Sequence, residues 1–143
     1  MIASEFLGLT SEATRLSHEL MELLKPYQGD TALASSFWLV WSQSSRGLDE
    51  ALRKLVERAP EGRWKEIALA SLDHDFSRAA DLWLLSGSPT WEAFLRMRAA
   101  EELIATGRRA EGEAELARAS AFYRTVGATF LIQRGEQLLA KSA

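Results

Sequence analysis

Chemistry has few footholds in this chain. His18 and Glu22 stand four apart, which sets both on one helix face and suits weak zinc binding, but no H-E-x-x-H accompanies them. Asp73-His74-Asp75 gathers three potential ligands. Neighbouring residues in a turn point in different directions, so the triplet reads as a helix-capping turn and His18 as a surface residue. The carboxylate pairs Glu101-Glu102 and Glu111/Glu115 fall on helix faces expected to be exposed, within a turn of Arg98, Arg108 or Arg118. Arg108-Arg109 follows Gly107 and could meet a phosphate, yet neither G-x-G-x-x-G nor G-x-x-x-x-G-K-[ST] occurs, and no serine lies in G-x-S-x-G. With no nucleophile–base pair, metal spacing or phosphate loop, no enzyme mechanism, cofactor or metal site is expected.

Composition narrows the classes further. The 143 residues suit a single domain spanning 1–143, and 47% hydrophobic with 26% charged residues describes a globular chain rather than a disordered one. A net charge of −3, with both signs interspersed, encodes no attraction to nucleic acid. The absence of cysteine removes disulfides and thiolate metal sites and fits a cytoplasmic address. The N-terminal residues MIASEFLGLTSEATRL lack a secretory pattern, and the longest apolar run, FWLVW, is too short to span a bilayer.

The elements that would have to position any site are helices. Apolar residues recur at helical spacing and nowhere alternate over a strand length. Helices are expected over about 11–25, 31–44, 48–59, 63–72 and 76–85. A sixth runs from Pro89 to about Thr106, a seventh is stopped by Gly127, and an eighth covers about 128–140. Expected core stripes are Ala51, Leu52, Leu55 and Val56; then Trp64, Ile67, Ala68, Ser71 and Leu72; then Phe76, Ala79, Ala80, Trp83 and Leu84. The last helix sets Ala128, Leu131, Ile132, Gly135, Leu138 and Leu139 on one side. The fold class is all-α, with short connections making neighbours antiparallel.

A small residue followed four positions later by a large one recurs as Ala51/Leu55, Ala79/Trp83 and Gly112/Leu116, at intervals of 28 and 33. The small residue lets a helix approach its predecessor closely, so the helix that begins after Gly107 should lie against both the one before it and the one after it. This pattern resembles tetratricopeptide repeats, with Ala100, Leu103, Gly107, Gly112, Leu116 and Ala119 at consensus positions and Arg96 where an aromatic is usual. The resemblance implies antiparallel hairpins stacked as a short right-handed solenoid of about eight helices. Residues 95–143 also look like the last helices of large bacterial signalling proteins that join an ATPase, and often a DNA-binding or cyclase domain, to a helical-repeat tail. On that resemblance the chain is a C-terminal fragment or a detached tail, without the ATPase motifs.

The function expected is a non-catalytic protein–protein interaction module of a bacterial signalling or transcription-regulatory protein, receiving a peptide or partner domain on its solenoid surface. The alternative is a small-molecule (inducer) sensor with an aromatic-lined pocket around Trp38, Trp41 and Trp64. Candidate partner-binding residues are Trp38, Trp41, Arg63, Lys65, Trp91 and Arg96, joined on the expected inner face by Glu66 and Glu101. Trp64 and Trp83 are assigned to packing, and Trp91 to partial exposure. Self-association is also expected, because a short solenoid exposes the apolar end of its first hairpin unless Phe6, Leu7 and Leu9 cover it.

Overall fold

The computed structural model describes residues 49–141 together with helical positions at 11, 14–16, 18, 19 and 22. The protein is all-helical, with no strand among the described residues. His18 is exposed, as expected; the helix expected over 31–44, with Trp38 and Trp41, lies outside the described residues. The chain divides into two compact units, residues 1–72 and 73–143.

In the first unit, α1 (Asp49–Glu57) packs on α2 (Arg63–Leu72). Leu52, Leu55 and Val56 meet Ala68 and Leu72, with Leu69 at the margin. Ala51 is exposed, so this hairpin does not use the small-residue position assigned to it. Trp64 is also turned outward at 49% exposure, and Ala70 takes a buried position instead. The helix begins at Arg63, and its buried arc runs through Ile67, Ala68, Ala70, Ser71 and Leu72, leaving the first turn outside it.

The second unit holds α3 (Phe76–Leu85), α4 (Pro89–Ala105), α5 (Arg109–Thr125) and α6 (Thr129–Lys141). Each packs on its neighbour in sequence. The three turns within this unit are built alike. Gly87, Gly107 and Gly127 adopt left-handed φ values of 73, 83 and 66°. In each, the next residue's N–H reaches back to close the helix end: Ser88 to Trp83 O at 3.2 Å, Arg108 to Leu103 O at 2.8 Å, and Ala128 to Tyr123 O at 2.9 Å. The glycine N–H bonds the following carbonyl, at Leu84, Ile104 and Arg124. This closure consumes carbonyls that a helix end otherwise leaves unpaired, and it demands a residue free of the left-handed penalty.

These turns recur every 20 residues. A helix pair here therefore occupies about 40 residues, longer than the ~34 of tetratricopeptide repeats. The reason is local: α4 and α5 each run 17 residues before their glycine.

The small residues predicted in this half lie at real close approaches. Ala79, Ala100 and Ala119 are wholly buried. Gly112 sits where a Cβ would lie 2.6 Å from Ile104 Cγ1 and 3.0 Å from the Ala100 carbonyl. Gly135 brings α6 over Leu116, whose Cδ1 would be 3.0 Å from such a Cβ. Ala93, Met97, Ala100, Leu116, Ala119 and Tyr123 form the core, and Ala128 just before α6, with Leu131, Ile132, Leu138 and Leu139 of α6, covers it along the stripe read from sequence. Leu84, expected in the α3 stripe, is instead half-exposed.

The two glycines make a paired test. Gly112→Val must displace Ile104 Cγ1 and press on the Ala100 carbonyl, and is expected to lower unfolding free energy by ~2–3 kcal/mol. Gly135→Ala meets only the far end of a leucine side chain and gains helix propensity, so it should change stability by less than ~0.5 kcal/mol. Urea unfolding of both variants measures the difference.

Candidate functional site

The groove side of α6 carries Phe130, Gln133, Arg134 and Gln137, with partly buried Leu138 at the boundary between this side and the core-covering one, spaced i, i+3, i+4, i+7 and i+8. With Glu101 from α4 these residues line an open groove of about 390 Å³. Phe130 is 63% exposed. Glu101 is gripped from both sides: Arg134 donates to Oε1 through Nε at 2.8 Å and a terminal nitrogen at 2.7 Å, and Arg98 donates to Oε2 at 3.3 Å. The guanidinium of Arg98 also lies 5.5 Å from the Phe76 ring centre, a cation–π contact that ties α4 to α3.

Tyr123 stands close to this charge pair. It is buried, and its hydroxyl finds no hydrogen-bond partner among the described residues. Burial pushes the phenol up to about 12; Arg134 pulls in the opposite direction and Glu101 adds to the rise.

A second cavity of about 560 Å³ is lined by His74, Phe76, Glu102, Leu103, Thr106 and Glu111 among others. Asp75 caps α3 by accepting from the Arg78 N–H at 3.2 Å, as expected of the 73–75 turn. His74 takes the left-handed position of that turn, φ 59°, where the other turns have glycine. Its Nδ1 lies 3.0 Å from Glu102 Oε2. No group of three metal-ligating side chains occurs among the described residues.

Arg96 requires a correction. Expected to meet a partner, it is instead 1% exposed and bound within the unit. Its guanidinium donates to Asp81 of α3, to Glu92 one turn back at 3.2 Å, and to Glu115 of α5 at 3.0 Å. Glu115, predicted on an exposed face, is therefore turned inward. Arg118 closes the outer side of the cluster, 3.5 Å from Glu92 and 3.8 Å from Asp81. Burial works against the charge on Arg96, and the hydrogen bonds and field of Asp81 and Glu115 outweigh it, raising its pKa.

Lys65 is likewise engaged. Its ammonium reaches back to the end of α1, donating to the Glu57 and Ala59 carbonyls at 2.9 and 3.2 Å, and pairs with Glu61 at 2.6 Å. That is a helix C-terminus closed by a cation from the following helix, in place of a cation offered to a partner. Arg63 and Glu66 are exposed. Trp91 is partly exposed, as expected, and stacks on buried Trp83 with ring centres 5.7 Å apart. Among the described residues named from sequence as partner-facing, Glu101 alone lines the groove. Phe130, Gln133, Arg134 and Gln137 were missed, although a lone phenylalanine on the polar side of the last helix was a readable sign.

Two substitutions probe these assignments. Arg96→Ala takes the cation from inward-turned Glu115, while Arg118 still answers Glu92 and Asp81, and is expected to cost ~3 kcal/mol in thermal or urea unfolding. Tyr123 gives a pH signature. Folded and unfolded chains are equally protonated below about pH 10; between about 10 and 12 the unfolded state releases the phenolic proton first. Stability should fall as pH rises through that window, by ~2–3 kcal/mol. Tyr123→Phe removes this component and, by deleting an unpaired hydroxyl, should not destabilise the protein at neutral pH.

No family model, curated protein or solved structure matches this chain.

Proposed function

We propose that the chain is a non-catalytic interaction module: a tetratricopeptide-like stack of helix hairpins that receives a protein or peptide partner, as in the tails of bacterial signalling and transcription-regulatory ATPases. The reading extends the sequence-order packing of α3 to α6 to a solenoid, and assigns the module to the cytoplasm. Among the described residues no helix is long and apolar enough to cross a membrane.

The observation that carries the reading is the α4–α6 groove. It combines an exposed aromatic ring, two carboxamides and a buttressed charge pair along one helix face. Aromatic anchors flanked by polar groups supply most of the affinity of protein interfaces. α6 covers the core on one side and exposes the Phe130 ring on the other, which supports a recognition role beside the packing one.

A second reading, small-molecule sensing, draws on the 560 Å³ cavity near His74 and Phe76, a volume suited to a small ligand. The lining is carboxylate-rich and lacks the tryptophans expected to form such a pocket.

The test uses the full chain immobilised against lysate of the cells that make it. The wild type should retain a partner whose recovery falls at least ~30-fold with Phe130→Asp, the loss of one hot-spot side chain. Retention that ignores Phe130→Asp and Arg134→Glu contradicts the groove as the site.

A further inference from the structure

The occupant of this groove can be specified further, resting on the interaction reading above. We propose that it is an extended peptide segment of the form apolar–x–acidic–x–apolar, held through its backbone by Gln133 and Gln137 and through its central acid by Arg134. Three features of α6 lead there.

The first is spacing. Gln133 and Gln137 stand four residues apart on a helix, hence about 6 Å along its axis. An extended chain presents equivalent peptide groups every second residue, about 6.6–6.8 Å apart. Each carboxamide both donates and accepts, as a peptide group does, so two of them at this interval match successive same-edge peptide units. Neither a lysine nor a carboxylate at those positions would do both.

The second is the placement of apolar contacts. Phe130 and Leu138 lie eight residues apart on α6, about 12 Å. In an extended partner that distance is covered by about four residues, whose side chains at i, i+2 and i+4 share one face. The terminal two would meet Phe130 and Leu138. The middle one falls at Arg134, the midpoint between them.

The third is charge. Among the described residues Arg98 and Arg134 share the carboxylate of Glu101, an excess of one positive charge in a chain whose net charge is −3. Arg134 reaches only one oxygen of Glu101 and stays 42% exposed, so its planar guanidinium retains donors for a second carboxylate. An acidic side chain is the complement of that surplus.

Selection from a random-peptide display library on the full chain tests the proposal. The expected outcome is enrichment of apolar–x–Asp/Glu–x–apolar. Binding of the selected peptides should fall about tenfold with the double variant Gln133→Ala/Gln137→Ala, whose positions are exposed. Arg134→Glu should replace the central acid by Lys or Arg in a repeated selection. Peptides that depend on Phe130 but show no central acid, or keep it against Arg134→Glu, overturn this inference while leaving the interaction reading standing. Peptides indifferent to every groove substitution overturn both. A selection that enriches nothing overturns the extended-peptide proposal, and the interaction reading is then judged by the retained partner alone.

Discussion

The second unit depends on one buried cation. Arg96 sits where α3, α4 and α5 converge, and its guanidinium is bound by a carboxylate from each of the three. A charge removed from water is costly unless it is paired and hydrogen-bonded, and breaking one such pair typically costs ~3–5 kcal/mol. A slide of α5 along α4 would part Arg96 from the inward-turned Glu115, and a slide of α3 would cost Arg96 its Asp81 partner. The packing here is otherwise alanine-rich, with Ala79, Ala80, Ala93, Ala99, Ala100 and Ala119 at the buried surfaces. The ionic clasp adds a directional constraint to the registry set by the close approaches at Gly112 and Gly135. Arginine suits this place better than lysine, because its planar fork reaches several acceptors at once.

The groove inherits its geometry from that arrangement. Glu101 lies about a turn and a half beyond Arg96 on α4, so the position of α4 decides where the Glu101 carboxylate stands for Arg98 and Arg134. On the other wall, Gly135 lets α6 settle against Leu116 and Met97, and this close seating turns Phe130, Gln133 and Gln137 outward. The core face and the recognition face of α6 are therefore two sides of one packing solution. Tyr123, with its unpaired hydroxyl beside the Glu101–Arg134 pair, is the point where core and groove meet.

Much of the fold was readable in advance. The bounds of the helices at 63–72 and 76–85, the glycine turns, the Asp75 cap and the covering stripe of α6 follow from local chemistry: caps, left-handed glycine and helical periodicity. What escaped were properties that exist only when distant helices meet. Nothing local tells that Asp81, Glu92 and Glu115 would surround Arg96, so a charged residue was assigned to the surface where charges usually belong. The one hint was its place in the repeat pattern, at a position where an aromatic is usual, which already implied burial. Trp64 failed the opposite way, because an aromatic at helical spacing was assigned to the core when its turn lies at the edge of α2. Lys65 was expected on a partner-binding face because its acceptors, the carbonyls ending α1, belong to a turn whose path a linear pattern does not reveal. The groove was missed for a related reason: only after the apolar side of α6 is seated does Phe130 stand out as misplaced for packing.

Native-state amide hydrogen exchange addresses the clasp most directly, since it resolves opening energies helix by helix. If Arg96 binds three helices into one unit, the central amides of α3, α4 and α5 should share a single opening free energy equal to that of global unfolding. Exchange of α3 or α5 several kcal/mol more easily than α4 would contradict the account.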